Sequence, residues 1–229
     1  MRLHRFYLHQ KIENPKIKIT DERLVHQWCN VFRYNVGSEV ILFDGSGMEY
    51  NAVIEKLGNR EVEVGVVSKR EAVIPERKIT LCISLIKKDN LEWVIEKATE
   101  LGVSKIVPII SERSEKKNFN IDRAQKIIIE AAEQCGRGDV PVLESSKQLV
   151  DSIEDLEGEI IIFDPSGVPF DSSLLTTNYN LLSIFIGPEG GWSPSEIERF
   201  KDSNIKIFSL GKLVLRAETA VVAALAKFL

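Results

Sequence analysis

Residues 181–200 read LLSIFIGPEGGWSPSEIERF. Leu181 to Ile186 form an apolar run broken only by Ser183, of the length and make-up of a buried strand. The run enters Gly187-Pro188-Glu189-Gly190-Gly191 directly, and a helix opens beyond it. Ser193 is a good N-cap, Pro194 fits the first helical position, and Glu196 completes a capping box. In open α/β sheets ligands sit beyond the carboxyl ends of strands, where the chain turns. Glycines at such a turn let the backbone approach a ligand and leave N–H groups free to bond. The spacing is not G-x-G-x-x-G, and no G-K-[ST] follows, so neither a Rossmann dinucleotide fingerprint nor a P-loop is present. Two readings stay open, a ligand-holding loop or a tight strand-to-helix turn.

The same alternation extends to both sides. ITLCISLI (79–86) precedes a helix from Asp89 to Leu101 that Gly102 terminates, and IVPII (106–110) precedes a helix from about Ile121 to Cys135. IIIF (160–163) and IKIFSL (205–210) are further apolar strands. Continuous apolar strands separated by helices predict a parallel sheet covered on both faces. After the last strand, SLGKLVLRAETA (209–220) leads into the apolar helix VVAALAKFL, which Thr219 could cap. Arg216 and Glu218 stand there between apolar flanks, where an unpaired charge is costly. They are either an ion pair that fixes the final helix or part of a second ligand-facing loop.

Residues 1–73 have a different pattern. KIKI (16–19), EVILFD (39–44), YNAVIEKL (50–57) and EVEVGVV (61–67) are short β-branched runs, with Asp44-Gly45-Ser46-Gly47 as a hairpin turn. One helix interrupts them, capped by Thr20 or Asp21, with Leu24, Val25, Trp28 and Val31 as its apolar stripe. This predicts a small barrel. EAVIPERK (71–78) reads as a linker, dividing the chain into domains of residues 1–73 and 74–229.

Composition narrows the function classes. The 229 residues are 44% hydrophobic and 28% charged, enough for a real core and unlike a disordered or collagenous chain. No apolar run approaches the ~20 residues of a membrane span, and the start MRLHRFYLHQ lacks the apolar segment of a signal peptide. Cys29, Cys82 and Cys135 are odd in number and scattered, as expected of reduced thiols in a cytoplasmic protein. Their spacing to His4, His9 and His26 forms no metal motif, so no metal is expected. With every histidine in the small barrel and no G-x-S-x-G, a Ser-His-Asp or Cys-His hydrolase is not expected.

The net charge of −4 conceals a gradient. Residues 1–147 hold 24 Lys and Arg against 22 Asp and Glu, a net of +2; residues 148–229 hold 6 against 12, a net of −6. Basic positions with nearby aromatics lie in the first part: Arg2, His4, Arg5, Phe6 and Tyr7, then Arg113, Lys116 and Lys117, then Arg137. Lys and Arg contact phosphates and aromatics stack on splayed RNA bases, though such clusters also make ordinary solvated faces.

Taken together, GPEGGWSPSE (187–196), LGKLVLRAETA (210–220), EKATELGVSKIVPIISERS (96–114) and EAAEQCGR (130–137), with the HRFYL start, closely resemble the RsmE family. Its members are bacterial 16S rRNA uridine N3-methyltransferases of the SPOUT class, and the resemblance runs over essentially the whole chain. It implies an α/β fold: an N-terminal PUA-like β-barrel followed by a SPOUT α/β domain with a C-terminal trefoil knot. It also implies a homodimer, a 16S rRNA or small-subunit substrate, and S-adenosylmethionine bound within the knot.

Carried over by motif, the cofactor residues would be Ile186, Gly187, Pro188, Glu189, Gly190 and Gly191 in one loop. A second loop would supply Leu210, Gly211, Val214, Leu215, Arg216, Glu218, Thr219 and Ala220, with Phe163 and Asp164 from an earlier strand. Arg216 is expected to stabilise the uracil anion, with Glu218 or Glu189 taking the N3 proton; Arg5, Arg113, Lys116, Lys117 and Arg137 are expected to contact RNA. Ala217 stands where the family usually has threonine, and Trp192 where phenylalanine is commoner. The competing readings are another SPOUT enzyme, acting on a tRNA base or a ribose 2′-hydroxyl, and a catalytically silent RNA-binding module.

Overall fold

A computed structural model describes residues 3–114, 119–171, 173 and 181–228. The chain forms two compact units: Met1–Ile74 with Ala132–Val140, and Pro75–Ala131 with Pro141–Leu229.

The first unit is a five-stranded sheet in the order β1-β3-β4-β5-β2, from β1 (Arg5–Tyr7), β2 (Lys16–Ile19), β3 (Glu39–Phe43), β4 (Met48–Leu57) and β5 (Val62–Glu71). β1 pairs parallel to β3 and the other neighbours are antiparallel. Asp44 fixes the β3–β4 turn, accepting from Ser46 N and Ile12 N. The short helix α1 (Glu22–His26) starts at Asp21, whose carboxylate accepts from Arg23 N and Leu24 N. Leu24, Val25 and Trp28 are buried as the stripe requires, but Val31 is 63% exposed. From Gln27 to Val31 the backbone winds as a π-helix, with Phe32 N bonded to Gln27 O, and the wider turn carries Val31 off the apolar face.

A buried ionic cluster overturns two expected RNA contacts. Arg5, 7% exposed at its side chain, pairs with Glu49 and also donates to Arg137 O. Arg137 is 4% exposed and forks onto both oxygens of Asp139 at 2.9 Å. Both guanidiniums are themselves buried and paired with carboxylates, so neither faces a phosphate. Arg70 completes the cluster on Glu49. Burial pushes the Glu49 carboxyl up, but the two guanidiniums together outweigh it and hold the group below its ordinary range. A depressed folded pKa contributes stability that is present above the unfolded value of about 4.3 and lost as pH falls through the folded one. The stability of the wild-type chain is therefore expected to fall with acidification below that value. Urea titrations across pH should show Glu49→Gln lacking that part of the slope.

The second unit is a parallel sheet. Its elements are β6 (Lys78–Ser84), α2 (Lys88–Glu100), β7 (Lys105–Ile110), α3 (Ile121–Cys135), β8 (Val142–Leu143), β9 (Lys147–Gln148), α4 (Leu149–Glu154), β10 (Glu159–Pro169), β11 (Leu181–Ile186), α5 (Pro194–Asp202), β12 (Lys206–Ser209) and α6 (Ala217–Leu225). α3 begins here, and its residues from Ala132 count with the first unit. The strand order is β12-β10-β11-β6-β7-β8, with β9 paired to β7. The central strands bury Leu81, Ile83, Ile109, Ile161, Ile184 and Phe185, which is why their sequences are continuously apolar. The chain leaves β6 toward β7 and β8, then returns to β10, β11 and β12 on the other side of β6. Because every pair is parallel, all these strands end at one edge.

Two further details differ from expectation. β10 runs past Phe163 and shifts register before Val168, throwing out 164–167 as a bulge. α6 opens at Ala217 with Arg216 at the N-cap, so Thr219 lies inside the helix and caps nothing. Cys29, Cys82 and Cys135 are free thiols, and burial pushes the Cys82 thiol far above its ordinary range.

Candidate active site

At the carboxyl edge of the parallel sheet the loops after β7, β10, β11 and β12 enclose a cavity of about 590 Å³. Phe163, Asp164, Pro165 and Ser166 come from the β10 bulge, Ile186 to Trp192 from the glycine loop, and Val214 to Ala217 with Ala220 from the last loop and α6. A smaller recess beside it is lined by Ser209, Leu210, Gly211 and Leu213, and shares Phe163, Asp164, Leu215 and Ala220. The expected cofactor residues thus gather around one space, except Glu218 and Thr219, which line neither cavity.

The glycine loop is built around Trp192. Its ring is buried, stands edge-on to Phe200 at 5.2 Å, and donates from Nε1 to Phe163 O at 3.2 Å. A Cβ on Gly187 would lie 3.1 Å from that ring, so any larger residue forces the tryptophan or the loop to move. Gly191 turns the chain with φ +66° while its N–H bonds Pro188 O. Ser193 and Glu196 form the expected capping box of α5. Glu196 does more than the sequence implied: one oxygen accepts from Ser193 N and the other from Glu112 N, both at 2.8 Å. That ties the loop after β7 to the glycine loop.

Arg113, expected on RNA, is exposed and braces the same loop through one nitrogen. Its Nη1 donates to Gly190 O at 2.9 Å and Trp192 O at 3.3 Å. Lys116 and Lys117 lie outside the described residues. Glu189 accepts from Lys87 N at 3.2 Å, directly before α2, where a carboxylate complements the first orphan N–H groups of a helix. Asp164 accepts from both the N–H and the hydroxyl of Ser166, closing the bulge.

Arg216 and Glu218 do not form the ion pair that one reading of the sequence allowed. Arg216 is exposed at the cavity wall, and among the described residues its guanidinium has no partner. Glu218 is half-buried in the first turn of α6, and its Oε2 is buried with no hydrogen-bond partner among the described residues. A buried carboxylate oxygen without a donor is costly and marks a place where a ligand proton or water completes the bonding. Sequence reasoning missed Pro165 and Ser166; the Asp-Pro-Ser-Gly turn signature at 164–167 was the available signal.

Among the described residues no helix is long and apolar enough to cross a membrane, and no group of three His, Cys, Asp or Glu could hold a metal ion.

Comparison with known proteins agrees with this geometry. The RNA methyltransferase domain family matches residues 74–229, and the RNA methyltransferase PUA domain family matches residues 29–67. The chain is 31% identical to ribosomal RNA small subunit methyltransferase E of Rickettsia conorii, over 99% of this chain and 95% of that one. It is 32% identical to the Bacillus subtilis protein of the same name, over 94% and 91%. Its fold superposes on a crystal structure of the Neisseria gonorrhoeae methyltransferase E bound to S-adenosyl methionine with a TM-score of 0.91, at 28% identity, covering 99% of this chain and 97% of that one.

Proposed function

The chain belongs to the RsmE family of RNA methyltransferases, and from that premise we propose that it transfers a methyl group from S-adenosylmethionine to N3 of one uridine in 16S ribosomal RNA. The observation that carries this reading is the cavity at the carboxyl edge of β10, β11 and β12. Its volume suits a cofactor of that size. Its chemistry fits too. Phe163, Ile186, Val214, Leu215 and Ala220 offer apolar walls to a purine, and Gly187 brings bare backbone to the cavity because Trp192 behind it leaves no room for a Cβ. The Asp164 and Glu189 carboxylates suit a cation bearing a sulfonium and an ammonium.

When bound, the cofactor supplies an electrophilic methyl carbon to an in-line nucleophile. The chain's own residues do the rest. The three loops hold the nucleophile in line, which is an entropic contribution. Arg216, at the cavity wall and without a partner among the described residues, stabilises the negative charge that spreads over the uracil carbonyls as N3 loses its proton. Glu218 lies behind the cavity wall and would receive that proton by relay through intervening water, its Oε2 having no donor among the described residues; Glu189 is bound to Lys87 N and serves the loop.

In the same proposal residues 1–73 form the RNA-binding barrel and 74–229 the catalytic domain, with the trefoil knot in the segments that carry the cofactor loops. Leu213 and Val214, 81% and 82% exposed, fit burial against a second copy in a cytoplasmic homodimer.

Arg113→Ala should weaken cofactor binding about tenfold by releasing the Gly190 and Trp192 carbonyls, while the salt dependence of RNA binding stays unchanged. Calorimetry and salt titrations separate this positioning role from a phosphate contact. The function itself is tested with methyl-labelled S-adenosylmethionine offered to small ribosomal subunits, naked 16S rRNA and tRNA. Label entering small-subunit rRNA supports the reading. Label in tRNA alone, or none, overturns it.

A further inference from the structure

A second site lies in the first unit. His4, Phe32 and Tyr34 form a cluster of three mutually adjacent rings: His4 tilted against Phe32 at 4.4 Å, Phe32 parallel to Tyr34 at 5.4 Å with 14° between planes, and His4 6.3 Å from Tyr34. The Tyr34 hydroxyl and His4 Nδ1 share a hydrogen bond of 2.7 Å, which locks the cluster. Beneath it Phe6 and Trp28 are fully buried, but Phe32 and Tyr34 are only half-buried and His4 is exposed. Phe32 and Tyr34 pack on this core from one side and stay partly open to solvent on the other.

Between the two stacked rings in sequence stands Arg33, exposed, with φ +52°. A non-glycine residue in that region is strained, and the conformation persists because its neighbours are held. Phe32 N bonds Gln27 O and Tyr34 N bonds Trp28 O, both carbonyls of the π-helical turn. Two rare backbone features, a π-turn and a left-handed arginine, therefore place one exposed cation in the chain between two of the three rings. Among the described residues the Arg33 guanidinium has no partner.

We propose that His4, Phe32, Tyr34 and Arg33 form a stacking platform for single-stranded RNA, taking one or two unpaired bases on the rings and a phosphate on Arg33. This rests on the reading of the chain as an RNA methyltransferase and names where it grips its substrate outside the cavity. Flat π-faces accept any base, and the cation supplies the backbone contact.

The test uses the full chain and a labelled single-stranded RNA of about ten nucleotides, the span such sites cover. Phe32→Leu and Tyr34→Leu each should weaken binding about tenfold, while Tyr34→Phe, which keeps the ring, should stay within about twofold. Arg33→Gly separates binding from folding. Glycine accepts the positive φ, so the melting temperature should hold or rise, while the slope of log affinity against log salt should drop by about 0.7. Wild-type affinity in both ring-to-Leu variants together with an unchanged slope in Arg33→Gly would overturn the platform, as would failure of the wild type to bind the oligonucleotide. Methyl transfer to small-subunit rRNA, measured in parallel, keeps the two readings apart. Wild-type transfer with platform variants that bind normally sinks only the platform. Ring-dependent RNA binding without methyl transfer sinks only the proposed reaction.

Discussion

Arg216→Ala is expected to slow single-turnover methyl transfer by about 10²–10³-fold at saturating cofactor, equivalent to about 3–4 kcal/mol of transition-state stabilisation. The effect should fall on the chemical step. The Arg216 side chain makes no capping bond to α6 and has no partner among the described residues, so its loss leaves the helix start intact. The backbone at that position is extended, with φ −65° and ψ 153°, which alanine adopts freely. Cofactor affinity should therefore change little, while the rate collapses. Arg216→Lys keeps the charge but loses the planar fork, and an intermediate rate is expected. A rate equal to wild type in rapid-quench experiments with the alanine variant would remove Arg216 from the reaction.

Trp192→Ala should be the most damaging substitution for the site as a structure. Deleting a buried tryptophan from a packed core costs about 3–5 kcal/mol. Here the ring also spaces Gly187 and holds Phe163 O, so its loss frees two walls of the cavity at once. Cofactor affinity should drop by at least about tenfold in addition to the stability loss, since loops left mobile must be ordered on binding. Trp192→Phe keeps the packing against Phe200 and loses one hydrogen bond, for a cost of about 1 kcal/mol. Urea titration and calorimetry on the two variants report the two effects separately. An alanine variant with wild-type stability would show that the loop stands without its ring.

The stretch that decided the fold was legible because its signals are local. Leu181–Ile186 became β11 and Pro194 opened α5 beneath a capping box, all from residues within a few positions of one another. Glu196 shows where that legibility ends. Its bond to Ser193 N is written in the sequence, but its bond to Glu112 N depends on two strands ending at one edge. The basic residues mark the same limit. Arg5 and Arg137 look like any exposed cation in a sequence, and only the sheet register brings Glu49 beside Arg5 from 44 positions away. The tie of Arg113 to the glycine loop is invisible in the sequence for the same reason, its partners lying 77 and 79 positions further on. The bulge at 164–167 was missed because the apolar run stops at Phe163, whereas β10 resumes after the register shift and so hides Pro165 and Ser166 in a strand. Gathering distant loops into one cavity is a property of parallel order, and no pattern along the chain encodes it.

The most direct test of the central claim is nucleoside mass spectrometry of 16S rRNA after reaction of small subunits with this protein and deuteromethyl S-adenosylmethionine. The account predicts the label in 3-methyluridine at a single position, absent when Arg216→Ala replaces the wild type over the same interval. Label in a ribose-methylated nucleoside, or rRNA that stays unlabelled under saturating cofactor, would contradict it.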